Sequence, residues 1–238
     1  MSENRSDILM EMLTPERRAK YDRVLAGRVR AITVVLENLY DPHNISAVLR
    51  SCEALGIQDV HIVETEHKFK FSSGVTRGCE KWLTIHRHAG VAEAVDALHR
   101  AGYHIVVADH RPETPRIEAL PPAPRRAFWM GAEHLGLSDA ARARADGRYR
   151  IPMHGFTESF NVSVAAAMTL YAARTRWEGE TGAAGDLGAA EQEELRLGWL
   201  RRDLARADDI LARFDVGDDR KSWRTPLGRA PTTGDSAS

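Results

Sequence analysis

Apolar residues in this chain fall in short blocks separated by polar, glycine- and proline-bearing turns, and the blocks are of two kinds. Residues 31–36 (AITVVL), 59–63, 82–86, 103–108 (YHIVVA), 126–130 and 149–151 are short runs, mostly β-branched or aromatic, that predict strands. Segments with apolar residues at helical spacing lie between and after them. Asn44 or Ser46 is expected to cap a helix running to about Leu55 and closed by Gly56, and 91–101 predicts a second helix closed by Gly102. A short helix is predicted over 138–145 and a long alanine-rich one over 161–177. Residues 69–78, polar and glycine-bearing, and 111–125, with five prolines, read as loops. Alternation at this spacing predicts an α/β domain over 31–177, a mostly parallel sheet flanked by helices on both sides.

The ends read differently. Residues 1–30 form an N-terminal helical extension, frayed over 1–13, with Thr14 capping a helix that has Pro15 at its first position. Residues 178–188 are rich in Gly, Ala and Thr and read as a linker. Residues 189–216 carry Leu195, Leu197, Trp199, Leu200, Leu204, Ile210 and Leu211 on a charged background, which predicts one or two amphipathic helices. Such a helix needs a surface to pack on, either the domain or a second subunit. The polar tail 217–238 is expected to be disordered.

Composition adds constraints. With 238 residues, 43% hydrophobic and 28% charged, the chain reads as soluble and globular. A formal net charge of −1 gives no global signal for nucleic acid. Locally, 16–30 holds six basic residues (Arg17, Arg18, Lys20, Arg23, Arg28, Arg30) against two acids, which suits a solvated helix face or an RNA-backbone contact. Two cysteines, Cys52 and Cys79, argue against a disulfide framework and for a reducing, cytoplasmic setting. No apolar run approaches the ~20 residues of a membrane span, and the mixed-charge start MSENRSDILMEML does not read as a signal peptide. No dinucleotide glycine fingerprint follows a strand, Leu137 stands where a phosphate-loop lysine belongs, and no nucleophile elbow is present. The histidines are scattered without metal-ligand spacing, so no metal is expected.

Three polar turns remain: NLYDPHNISAVLR at 38–50, MGAEHLGLS at 130–138 and IPMHGFTESFNVSVAAA at 151–167. Ligands of open α/β sheets bind beyond the carboxyl ends of strands. The predicted strands deliver Asn44, then Gly131 and Glu133, then Ile151 and Met153 to such places. Glycine-bearing turns suit an adenine edge or a ribose, and Ile151, Met153 and Phe160 offer apolar walls. Each residue also has an ordinary reading. Asn44 and Asn161 are good helix caps, Arg50 a surface ion-pair partner, Ser159 a turn residue, and Glu133 a solvated side chain.

Taken in order, the three turns resemble the three motifs of the SpoU-type RNA 2′-O-methyltransferases over about residues 31–177. Arg174, Arg176 and Gly198-Trp199-Leu200 are similar to the tRNA guanosine 2′-O-methyltransferase (TrmH) branch. The resemblance implies a C-terminal trefoil knot, S-adenosylmethionine as cofactor, and a homodimer whose sites are completed by the neighbouring chain. It implies the D-loop guanosine at tRNA position 18 as substrate; ribosomal RNA and a non-catalytic RNA-binding role are the alternatives. It assigns cofactor contacts, mostly through backbone, to Ala108, Gly131, Ile151, Phe160 and Met153. Ala108 departs from the usual threonine and Phe160 from the usual leucine. It gives catalytic roles to Arg50, Asn44, Ser159, Asn161 and Glu133, and RNA or dimer-interface contacts to Arg174 and Arg176; the basic face of 16–30 adds Arg17, Arg18 and Lys20 as candidate RNA contacts. The matching arginine in the family is catalytic. A guanidinium holds its proton to very high pH, which favours Arg50 as an electrostatic partner of the ribose or phosphate over Arg50 as the base.

Overall fold

The computed structural model describes residues 4–65, 78–132 and 135–213. Among these residues six strands form one sheet: β1 (Ile32–Glu37), β2 (Asp59–Val63), β3 (Thr84–His88), β4 (His104–Ala108), β5 (Arg126–Met130) and β6 (Gly147–Tyr149). Every pairing is parallel, in the order β3-β2-β1-β5-β4-β6. Neighbouring residues on a strand face opposite cores. Val34, Leu36, Val106, Phe128 and Met130 face one; Val35, Val107, Ala127 and Trp129 face the other. Burial on both sides explains the unbroken apolar strand blocks.

Helices α3 (Pro42–Ala54) and α6 (Val162–Thr181) cover the first face, and α4 (Val91–Arg100) and α5 (Asp139–Arg144) the second. On α3 the stripe Ile45, Val48, Leu49 and Cys52 is buried, the i, i+3, i+4, i+7 pattern of a helix seated on a sheet.

Several boundaries differ from the sequence reading. Asp41, not Asn44 or Ser46, caps α3: its carboxylate accepts from the His43 N–H at 2.8 Å, and Pro42 takes the first position. β3 starts two residues after the predicted 82, because Trp82 closes a 3-10 turn (Cys79–Trp82) and packs edge-on against Tyr21 and Trp199. β6 ends at Tyr149 rather than 151, because Arg150 leaves the ladder to pair with the main chain of Pro115 and Ile117. The predicted loop 69–78 lies almost wholly outside the described residues, and the tail 217–238 entirely so.

The expectation of a frayed 1–13 is overturned by α1 (Arg5–Glu11), whose Ile8 and Leu9 are buried. They join Tyr21 and Leu25 of α2 (Pro15–Ala26), Leu195, Trp199 and Leu200 of α7 (Ala189–Asp203) and Leu211 of α8 (Ala207–Arg213) in a separate core. Short helices from the two ends bury one another, which a lone segment cannot do. The predicted linker is also shorter. α6 continues past Trp177 to Thr181, supported by Arg174–Glu178 and Arg176–Glu180 ion pairs one turn apart, and Gly182 ends it at φ 67°. What remains is stitched down, with the Asp186 carboxylate accepting from the Arg30 and Ala31 N–H groups at 2.7 and 2.6 Å.

At the β2–β3 edge His61 stacks on His86 and His88, and its Nδ1 lies 2.9 Å from His88 Nε2. Asp59 holds His86 Nε2 at 3.0 Å and Arg30 at 3.2 Å. Burial first, then the neighbouring histidines, push the His61 pKa from 6.5 down to about 3. Among the described residues no cluster of three or more His, Cys, Asp or Glu could hold a metal, and no helix is long and apolar enough to cross a membrane.

Candidate functional site

Beyond the carboxyl ends of β4 and β5 lies a cleft of about 420 Å3, within the roughly 300–1,000 Å3 typical of small-ligand sites. Ala108 ends β4, Gly131 follows β5, and Ile151, Met153, Ser159, Phe160 and Asn161 come from the segment between β6 and α6. All of these are sequence-predicted site residues, and one cavity gathers them. Glu133 lies outside the described residues.

Local geometry explains why Gly131 is a glycine. Ala132 and Gly136 exchange main-chain hydrogen bonds of 3.0 and 2.9 Å, folding the following loop back over residue 131. A β-carbon on Gly131 would stand 2.2 Å from the Gly136 carbonyl carbon and 2.4 Å from the Leu137 nitrogen. Rigid backbone cannot yield as a side chain can, so this crossing admits no side chain.

Asn161 does two things at once. Its Oδ1 caps α6 by accepting from the Ser163 N–H at 2.9 Å, and its Nδ2 donates to Asn44 Oδ1 at 3.0 Å. Asn44 is buried in the first turn of α3, so a bond between residues 117 apart in sequence pins two helix N-termini beside the cleft. Asn161 therefore caps α6 while lining the cleft, whereas Asn44 is no cap.

Arg50 stands apart. It is exposed on α3, does not line the cleft, and its side chain makes no hydrogen bond or ion pair with a described residue. Burial pushes the nearby Cys79 thiol up to about 11, and the Arg50 charge opposes that shift. A single chain therefore does not bring Arg50 into one cavity with Gly131 and Asn161.

The expected RNA contacts divide. Lys20 is exposed on α2. Arg17 is ion-paired to Asp203 at 2.6 Å, and Arg18 folds back onto the carbonyls of Leu13 and Glu11. Arg174 is buried, and its Nη2 donates to the carbonyls of Gly27 and Ala184 while pairing with Glu178. Burial lowers its pKa. The sequence reading of Arg174 as an RNA-facing residue is corrected in this chain: it is an internal strut between α6, the end of α2 and the linker. Arg176 pairs with Glu180 and donates to the carbonyls of Glu118 and Leu120.

Sequence reasoning missed Asp109, His110, Arg142, Arg150 and Glu158, which also line the cleft. Asp109 is buried, and hydrogen bonds from Arg111 and then Arg148 hold its carboxyl well below the usual carboxylate range. Glu37 was missed too. Its buried carboxylate accepts from the Trp129 indole at 2.9 Å, tying β1 to β5. Position just past an apolar strand block is the sequence signal that marks both Asp109 and Glu37.

Residues 31–171 match the model of the SpoU rRNA Methylase family. A tRNA (guanosine(18)-2′-O)-methyltransferase of Borreliella burgdorferi is 34% identical over 198 residues, covering 83% of this chain and 90% of its own. One of the same name from Thermus thermophilus is 35% identical over 165 residues, 69% of this chain and 85% of its own. The solved A. aeolicus TrmH/SpoU tRNA modifying enzyme superposes with a TM-score of 0.72 at 28% identity, over 80% of this chain and 98% of its own. The SpoU methyltransferase AviRb of Streptomyces viridochromogenes, solved with AdoMet, has a TM-score of 0.55 at 26% identity, over 63% of this chain and 59% of its own. A parallel sheet whose strand-end turns meet in one cleft, and a family match over more than half the residues, lead to one conclusion: this chain belongs to the SpoU rRNA Methylase family.

Proposed function

We propose that this chain methylates the ribose 2′-hydroxyl of guanosine 18 in tRNA, using S-adenosylmethionine. The observation that carries the reading is the single cleft formed by the 130–138 and 151–167 turns and pinned to the 38–50 turn through Asn161 and Asn44. The names of the Borreliella and Thermus relatives support guanosine 18 of tRNA over ribosomal RNA.

The cleft suits the cofactor. Ile151, Met153 and Phe160 offer apolar walls for an adenine, and the tight loop at Gly131 brings main-chain groups to the rim. Bound there, S-adenosylmethionine supplies a methyl group already activated on a sulfonium. The chain's own task is then to align the ribose oxygen and exclude water. Asn161 and Asn44, locked to each other, orient the site, and Ser159, exposed at its rim, donates a hydrogen bond to the substrate. The Arg50 guanidinium steadies the reacting ribose or its phosphate. Lys20 adds a phosphate contact, so binding weakens as salt rises.

The active form in this reading is a homodimer. Val164, Met168 and Tyr171 form an exposed stripe along α6 (47%, 41% and 63% exposed) at a spacing that keeps them on one face. A second copy covering that stripe is the natural occupant, and the separation of Arg50 from its own cleft supports sites completed across the dimer. We also read the chain path as a trefoil knot. Arg150 runs beside residues 115–117 of the loop after β4, and α6 then returns to pack on α3 and β1. Residues 31–177 constitute the methyltransferase unit, with the helices of 1–30 and 189–216 as a joint accessory layer. Cys52 and Cys79, both free and buried, support a cytoplasmic setting.

The test is incubation with labelled S-adenosylmethionine and separate tRNA and ribosomal RNA pools. Label is expected in tRNA and is lost when guanosine 18 carries a 2′-deoxyribose. Label in ribosomal RNA alone would select the other substrate, and cofactor binding with no transfer to either would select a non-catalytic role. Arg50→Ala is expected to abolish transfer while leaving cofactor affinity nearly intact.

A further inference from the structure

The cofactor cleft contains two arginines, Arg142 and Arg150, that make no ion pair with any described residue. Their surroundings differ. Arg150 is committed to the loop after β4, its Nε donating to the Thr114 carbonyl at 2.8 Å and its main chain pairing with Pro115 and Ile117. Arg142 projects from α5 onto the glycine loop. Its Nε donates to the Leu137 carbonyl at 3.3 Å, and its Nη2 lies 3.5 Å from where a β-carbon of Gly136 would stand. Gly136 belongs to the segment that crosses Gly131, so the guanidinium is fixed against the turn that shapes the cleft.

The described acids of the cleft do not pair with it. Asp109 is engaged by Arg111 and Arg148, and Glu158 is exposed. A half-buried guanidinium, anchored through Nε and without a carboxylate partner among the described residues, matches an anionic group presented by a ligand, because its fork pairs with carboxylates through two parallel hydrogen bonds. S-adenosylmethionine carries one carboxylate, at its amino-acid end. The apolar walls at Ile151, Met153 and Phe160 offer it no charged partner.

We propose that Arg142 receives the carboxylate of the cofactor's amino-acid end, so that α5 sets the direction in which the reactive sulfonium faces the substrate. This rests on the methyltransferase reading above. Arg142 acts as a cofactor-binding and orienting residue, and nothing requires it to touch the ribose.

Calorimetric titration of the whole chain with two ligands tests it. S-adenosylhomocysteine keeps the amino-acid carboxylate; 5′-methylthioadenosine lacks the amino-acid end altogether. Arg142→Gln is expected to weaken S-adenosylhomocysteine by about tenfold, the scale of one charge-assisted hydrogen bond, and to leave methylthioadenosine unchanged. Arg142→Lys is expected to recover part of the loss. Equal weakening of both ligands would overturn the assignment, because Arg142 would then be shaping the cleft through Leu137. So would an unchanged S-adenosylhomocysteine affinity in Arg142→Gln, or a ligand-selective loss found in Arg150→Gln alone. If the unmodified chain binds neither ligand, the methyl-transfer reading itself fails, and this subsite fails with it.

Discussion

The bond between Asn161 and Asn44 can be separated experimentally from the helix cap that Asn161 also provides. Asn161→Ala removes both. Loss of the cap, accepted from Ser163 N–H at 2.9 Å, costs about 1 kcal/mol. Loss of the 3.0 Å donor to Asn44, a residue only 9% exposed, removes one buried hydrogen bond and costs about 1 kcal/mol more. Asn161→Ser keeps a capping oxygen but is too short to reach Asn44, so it should lose only the second contribution. Urea unfolding at constant m should therefore rank the native chain above Asn161→Ser, and that above Asn161→Ala, in steps of about 1 kcal/mol. Combining Asn161→Ala with Asn44→Ala should cost less than the sum of the two single changes, by about 0.5–1 kcal/mol. S-adenosylhomocysteine affinity should fall in Asn161→Ser as well, because the pair fixes the cleft wall. Strict additivity, or equal stability of Asn161→Ser and Asn161→Ala, would refute the claim that this bond joins α3 and α6.

Gly131→Ala places a β-carbon 2.2 Å from the Gly136 carbonyl carbon, so it should cost about 1–3 kcal/mol by overpacking and abolish S-adenosylhomocysteine binding; normal binding by calorimetry would show that the crossing is not rigid. Arg174→Met should lower stability by about 2 kcal/mol by leaving the Gly27 and Ala184 carbonyls without their charged donor, a fall in Tm of roughly 4–8 °C for a chain of this size. The salt slope of tRNA binding should stay the same in that variant, and a slope reduced by about one would mark Arg174 as a phosphate contact after all. Folded His61 stays neutral until about pH 3, whereas its ordinary value is 6.5, so between those values protons prefer the unfolded chain. Stability is then fullest above pH 6.5 and declines toward pH 3, by up to about 1.4 kcal/mol per pH unit for this group. Burial depresses His88 in the same sense. His61→Asn should flatten the urea-midpoint profile over that range, and an unchanged profile would place the acid sensitivity elsewhere.

Local pattern was enough for much of the architecture. Strand blocks at 59–63 and 126–130 coincide with β2 and β5 to the residue, because a strand buried on both faces is marked by its own side chains. The Thr14-Pro15 start of α2 was equally legible, since a cap and its proline are neighbours in sequence. The motif turns also placed Gly131, Ile151, Met153, Ser159, Phe160 and Asn161, and the family resemblance added Ala108; all of them share a cavity. Tertiary packing decided what depends on distant partners. Residues 5–11 became a helix because α7 and α8 cover Ile8 and Leu9. Arg174 became a strut because two carbonyls from other segments surround it. Asn44 met Asn161 only through the return of α6 across α3, and Arg142 entered the cleft only because a loop folds back over Gly131. Periodicity records which way a side chain points; which group waits there is set by chain segments that no local window contains.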